Sequence, residues 1–284
     1  MRPLAEGSLE AAALAFVAAR SEGPPLAHPW PITVHFHPDR SFETGSILES
    51  MARDGRLRSQ FETATSNGGL SAFEGGDRWR WEHEIFGAVY DRAAPSRRPC
   101  YGALNFRSRP EGAAPRFGSA HFRLTPAVLA RCTFCYPDSY FQPTRFGVAA
   151  AMSLIALAEG APRDALDDYI EAQIHGPVRL AEDVEALVLD PCYRGTWVEA
   201  EARRLPCPIA WHHGFALDPE RLRALDAYRG PEVVALGLRL ARGAPVTPAT
   251  LGDAARSGRY DPQALKKLWH CVARFGARDA APTT

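Results

Sequence analysis

Residues 168–175 (DYIEAQIH) alternate without a break: Ile170, Ala172 and Ile174 are apolar, and Tyr169, Glu171, Gln173 and His175 stand between them. Successive side chains of an extended strand project to opposite faces, so this pattern dictates a sheet with one apolar face and one face bearing functional groups. The same period recurs at 32–37, where Ile32, Val34 and Phe36 oppose Thr33, His35 and His37. It recurs again at 118–124, where Ala120, Phe122 and Leu124 oppose Ser119, His121 and Arg123. Further strands are expected at 101–106, 132–136, 184–189 and 209–212. Antiparallel or mixed sheets commonly bury one side only, so the polar face is expected to line a wet cleft.

Helices punctuate these strands. Ser8 caps a helix over 8–20, which a proline-rich break at 23–31 follows. Ser46-Ile-Leu-Glu49 has capping-box spacing and starts a short helix that ends near Gly55. Residues 77–90, 146–159 and 195–205 read as helices, the second strongly apolar and ended by Gly160, and Thr125-Pro126 opens a short one. Beyond about residue 216 the pattern is helical only, with starts near Asp218, Pro231, Pro248 and Asp261. The expected organisation is an N-terminal helix and linker at 1–30, a catalytic domain at 31–215, and a helical appendage at 216–284.

Composition excludes several classes. Thirty-three basic residues balance thirty-three acidic ones, with a pI near 7.1. No global field therefore draws the chain onto nucleic acid or an anionic membrane. The most apolar N-terminal stretch, 9–19, carries Glu10 and follows Glu6. No membrane span or secretory signal is expected, and a cytoplasmic location follows. Six cysteines without a spacing pattern suit a reducing compartment. Cys132 and Cys135 read as strand thiols rather than a metal or redox pair. Lysine occurs only at Lys266 and Lys267, so an arginine by itself is weak evidence of a phosphate site.

The polar face draws candidates from four stretches: His35, His37 and Arg40; Gln60 to Asn67; Ser119 and His121; and Glu171, Gln173 and His175. His35-x-His37 has metal-ligand spacing on a strand, and with Asp39 or His121 it could hold a divalent ion for hydrolysis. Another reading, from a different class, is a catalytically silent binding module that uses the same face to recognise a protein or nucleic acid. His212 and His213, as neighbours on a strand, point to opposite faces, and a surface role is expected for them.

The segments VHFHPDR (34–40), RSQFETATSNGG (58–69), YGALNFRSR (101–109), RFGSAHFRLTP (116–126) and YIEAQIHGPVRL (169–180) resemble the DUF3626 family. That family in turn resembles ADP-ribosyltransferase toxin domains in the RCTFCYPDS strand at 131–139 and in the YIEAQIHGP strand. The resemblance covers about residues 30–215. It implies an α+β fold, a mixed and split β-sheet around an NAD cleft, and mono-ADP-ribosyl transfer from NAD to a macromolecular acceptor, protein or nucleic acid, with release of nicotinamide. A bacterial toxin or defence effector is the implied setting, and a neutralising partner is allowed for.

Breaking the N-glycosidic bond of NAD passes through an oxocarbenium-like state, which needs a carboxylate beside the nicotinamide ribose. The resemblance gives that role to Glu171, with Gln173 beside it. It leaves His35, His37 and Arg40 each open as the first-strand anchor of ribose or pyrophosphate, with Arg40 favoured and His37 in support. Thr65, Ser66 and Asn67 resemble a Ser-Thr-Ser buttress, with Gln60 and Glu62 as neighbours, and Ser119 and His121 complete the expected NAD contacts. No metal is expected at this site. Tyr169 stands where the family pattern often has an acidic or amide group two residues before the glutamate, which leaves the choice of acceptor open.

Overall fold

The computed structural model describes residues 4–64, 69–161 and 163–278. Its strands are β1 (Ile32–Phe36), β2 (Ser41–Phe42), β3 (Gly45–Ser46), β4 (Cys100–Leu104), β5 (Ala120–Leu124), β6 (Cys132–Cys135), β7 (Phe146–Val148), β8 (Ile170–Ile174), β9 (Val184–Leu189) and β10 (Ile209–Trp211). Eight of them form one sheet in the order β10-β9-β5-β1-β4-β8-β6-β7, and β2 pairs separately with β3. The β9–β10 pair is parallel and the other pairs are antiparallel, so the sheet is mixed, as expected.

The sheet is also split. β1 meets β4 only through Ile32–Leu104 and Thr33–Ala103. From Thr33 to Phe36 it runs along β5, whereas β4 runs its whole length along β8. The two strands part at Val34 and Gly102. A Cβ on Gly102 would stand 2.9 Å from both Ile32 Cγ2 and the Thr33 carbonyl oxygen. Glycine is what lets the backbones approach this closely at the fork.

The helices are α1 (Leu9–Ala18), α2 (Ile47–Asp54), α3 (Gln60–Thr63), α4 (Asp77–Ile85), α5 (Leu154–Gly160), α6 (Leu180–Asp183) and α7 (Trp197–Ala202). A C-terminal set follows: α8 (Pro219–Arg223), α9 (Asp226–Arg229), α10 (Pro231–Ala241), α11 (Pro248–Arg256) and α12 (Pro262–Phe275). Ser8 caps α1 by accepting from the Ala11 amide. Ser46 caps α2, which ends at Gly55 with φ 63°. The reciprocal capping box lies one helix later, where Ser59 and Glu62 satisfy each other's amides.

One expected helix changes type. The apolar run at 146–159 begins as edge strand β7, paired with β6, and becomes helical only at Leu154. An apolar run with no clear period is compatible with either state, and here β6 offers an open edge for Phe146–Val148 to pair with.

Ile32, Phe36, Leu104, Phe122, Phe134, Ile170 and Ile174 share the apolar face and form the core with Leu48, Leu129, Leu154 and Val198. The opposite face is not the open, wet surface that alternation suggested. Near β6 and β7 it is covered by α1 and α4, with Ala13, Val17, Trp81 and Ile85 packed against Cys135 and Val148. On the other flank lie residues 112–118 and the C-terminal helices. Trp269 Nε1 there donates to the carbonyls of Pro115 (3.0 Å) and Arg116 (3.1 Å). Arg256 reaches the Asp39 carbonyl at 2.7 Å. The C-terminal helices have a core of their own, built from Leu222, Val233, Leu251, Leu265, Leu268 and Val272 against Phe215 and Leu217.

Candidate functional site

A cleft of about 470 Å³ opens where β1 and β4 part. Thr33 and His35 reach it from β1, Tyr101 and Gly102 from β4, and Tyr169 and Glu171 from the start of β8. Gln60, Arg78 and Ser139 close one end, and Arg116, Lys266 and His270 line the side formed by the C-terminal helices.

Glu171 sits at the closed end, buried, with both oxygens engaged. Oε2 accepts from Ser139 Oγ (2.8 Å) and from the Ser139 amide (3.3 Å). Oε1 accepts from Gln173 Nε2 at 3.0 Å, with Cys135 Sγ at 3.7 Å. Burial pushes its carboxyl above the ordinary range, Arg78 pulls it down, Asp138 pushes it up, and the Ser139 and Gln173 hydrogen bonds lower it again. Ser139 can be so placed because Asp138 caps the short turn at Ser139–Phe141 by accepting from the Tyr140 amide.

Arg78, from the first turn of α4, is the cation beside Glu171. Its guanidinium lies 3.9 Å from Glu171, stacks at 4.0 Å over the Tyr101 ring, and donates to Ser139 Oγ (2.7 Å) and Gln60 Oε1 (3.1 Å). Ser139 thus accepts from Arg78 and donates to Glu171, linking the two charges. Behind them, Glu82 accepts from Arg98 Nη1 (2.6 Å) and from the Tyr101 hydroxyl (3.0 Å). A buried carboxylate held by charged and phenolic donors keeps the Tyr101 ring fixed under Arg78.

His35 is neutral and fully satisfied. Burial pulls it down to about 3. Its Nδ1 bonds the Gly118 carbonyl at 3.1 Å, and its Nε2 accepts from the Ala114 amide at 3.3 Å. Both ring nitrogens are therefore committed, and neither has a lone pair to offer a metal. Among the described residues no cluster of three or more His, Cys, Asp or Glu side chains has metal-ligand geometry.

The other candidates fall into three groups. Gln173 is buried beneath Glu171 and bonded to it, and Gln60 lines the cleft and accepts from Arg78. Arg40, His37, Ser119 and His121 are not among the cleft-lining residues. His37 packs edge-on against Trp269, Ser119 meets the Tyr193 hydroxyl at 3.3 Å, and His121 lies under His35 with ring centroids 5.0 Å apart. Thr65, Ser66 and Asn67 lie outside the described residues.

Two further expectations meet the structure here. Cys132 and Cys135 are both buried free thiols, on opposite faces of β6. His212 is buried rather than superficial, with Nε2 on the Ser119 carbonyl at 2.8 Å and Nδ1 accepting from the Gly214 amide; its ring packs on Phe215, which in turn meets Trp269 of α12.

Arg78 and Tyr101 escaped the sequence reading, whereas Asp138-Ser139 reads from the sequence as a cap or turn, with a direct NAD contact as the lesser alternative, and Asp138 does cap the turn. Arg78 sits on a helix with four other charged residues, so nothing in its spacing marks it out. Tyr101 did show an alternating strand position, which was the available signal.

Residues 31–159 and 148–275 match the family model described as "Protein of unknown function (DUF3626)". The chain belongs to the DUF3626 family. No curated protein matches it. Two solved structures of DarT from Thermus sp. 2.9 align with this DUF3626 chain at 12% identity. The one in complex with carba-NAD+ has a TM-score of 0.40 and covers 66% of this chain and 97% of its own. The one in complex with NAD+ has a TM-score of 0.37, with 65% and 96% covered.

Proposed function

We propose that this protein is an NAD-dependent ADP-ribosyltransferase that transfers ADP-ribose to a macromolecular acceptor, with Glu171 as its charge-stabilising carboxylate. The observation that carries the reading is a buried glutamate at the closed end of the cleft, held by Ser139, Gln173 and Arg78. A cleft of this volume suits part of a dinucleotide, with the remainder extending outward. In the reaction the ribose C1′–nitrogen bond breaks, and its electron pair leaves with nicotinamide. Positive charge grows on the ribose, and an anion fixed nearby in a site of low dielectric stabilises it with no reorganisation. The acceptor's nucleophilic atom then bonds C1′ and loses its proton.

Arg78 is the cation beside Glu171, whereas Arg40, favoured from the sequence as the anchor of ribose or pyrophosphate, does not line the cleft. Arg78 holds the Glu171 ion in place, and Gln60, Gln173 and Ser139 fix that pair. Arg116 and Lys266, on the opposite wall, are suited to the pyrophosphate. His35, with both ring nitrogens bonded within the protein, offers the cleft its ring as a wall and no free nitrogen. The hydrolase reading has no free His35 nitrogen to use, and no group of three or more ligating side chains stands together among the described residues.

The test is nicotinamide release and label transfer from NAD, in the presence of cell lysate, by the intact protein and by Glu171→Gln. The variant should bind NAD and lose turnover by about a hundredfold or more, the scale of removing one preorganised charge from a transition state. Nicotinamide release at the wild-type rate by Glu171→Gln would overturn the assignment.

A further inference from the structure

Glu171 is the end of a longer chain of contacts. Tyr90 OH lies 2.8 Å from His175 Nδ1, His175 Nε2 lies 3.1 Å from Thr133 Oγ1, Thr133 Oγ1 lies 2.8 Å from Gln173 Oε1, and Gln173 Nε2 lies 3.0 Å from Glu171 Oε1. All five side chains are buried. The links run from the turn after α4 through β8 and β6 to the closed end of the cleft.

We propose that Thr133, His175 and Tyr90 are positioning residues, forming a hydrogen-bond chain with a single direction that presents a donor to the Glu171 anion. The proposal rests on the catalytic reading of Glu171. Its direction follows from counting protons. A carboxylate can only accept, so Gln173 must turn its amide nitrogen toward Glu171, and its second N–H then faces Cys135 Sγ at 3.4 Å. The Gln173 carbonyl is left facing Thr133, and it too can only accept. The one proton of the Thr133 hydroxyl is committed to it. Thr133 must therefore accept from His175, which puts the ring proton on Nε2. His175 is neutral, pulled down to about 3 by burial, so Nδ1 is bare and takes the Tyr90 proton.

Every donor in the chain thus points toward Glu171. The reverse order would aim the Gln173 carbonyl at the carboxyl group and suits only a protonated Glu171. The Glu171 proton and the His175 tautomer are in this way coupled through two intervening side chains.

Charged and titratable groups face the chain from several elements: Glu10, Glu82, Arg97 and Arg98 act on Tyr90, and Tyr101 and Tyr169 face Glu171. Arg131, from the segment before β6, donates to the His175 carbonyl at 2.6 Å, and Glu10 of α1 raises the imidazole slightly. Phe86 closes the ring edge-on at 5.1 Å. Around Glu171 stand Arg78, Asp138, Ser139 and Cys135.

Two measurements on the full chain decide the proposal. Nitrogen-15 NMR of labelled histidine should find His175 as the Nε2–H tautomer at neutral pH, and the Nδ1–H tautomer would overturn the chain whether or not the protein turns over NAD. Thr133→Val cuts the link at constant volume. The acidic limb of its NAD-turnover profile should move up by about one pH unit, the scale of one lost hydrogen-bonding contribution to a buried carboxylate, and Thr133→Ser should restore it. A Thr133→Val limb that coincides with wild type would also overturn the chain. Failure of the catalytic reading is recognised separately, by full turnover in Glu171→Gln. If Thr133→Val does not fold, the tautomer alone decides.

Discussion

Replacing Arg78 by methionine keeps an unbranched apolar stem and removes the guanidinium, leaving Glu171 buried with Ser139 and Gln173 as its hydrogen-bond donors. Two unit charges 3.9 Å apart attract by about 4 kcal/mol at an effective dielectric of about 20, equivalent to about three pKa units. Glu171 already sits above its unfolded value because of burial. The folded state therefore holds a proton over the window between the two values, and stability falls as pH rises through it. Arg78→Met extends that window upward. Its deficit against wild type should be smallest at low pH, where Glu171 is protonated, and should grow toward about 3–5 kcal/mol at high pH, the range for breaking a buried pair. Urea unfolding followed by circular dichroism at several pH values measures this directly. A deficit of equal size at every pH would show that Arg78 does not hold the Glu171 charge, and the argument would fail.

Gly102→Ala should push β4 away from Ile32 and the Thr33 carbonyl. We expect about 1–3 kcal/mol lost in stability, as for other overpacked sites, and weaker NAD binding, read by thermal melting and by titration. Trp269→Phe removes the donor shared by the Pro115 and Arg116 carbonyls. It should cost about 1–3 kcal/mol through the unsatisfied acceptors, seen as a lower urea midpoint with an unchanged slope.

The alternating strands were legible because period two is a local property. Thr33 and His35, Glu171 and Gln173, and Ser119 and His121 share the polar face as read. What covers that face was not legible, since α4 and the C-terminal helices dock by shape and by contacts such as Trp269 with Pro115, which leave no period in the sequence. Hence Arg78 went unseen, although it lies against Glu171 from 93 positions away. Hence also His121 and Ser119, correctly placed on the face, lie under other segments rather than in the cleft. Arg40 follows β1 but leaves the line of the strand, because the chain turns into the β2–β3 hairpin there. Apolar content alone could not tell strand from helix at 146–159, where the deciding partner, β6, is distant in the chain.

Ile32–Leu104 and Thr33–Ala103 are the two residue pairs that join the half of the sheet bearing His35 to the half bearing Glu171. A molecule lodged between those two side chains would act as a staple across a seam that the backbone scarcely sews shut. Occupancy would then be felt first as stiffening of the β1–β4 seam, where amide hydrogens of both strands are well placed to report it by slower exchange with solvent.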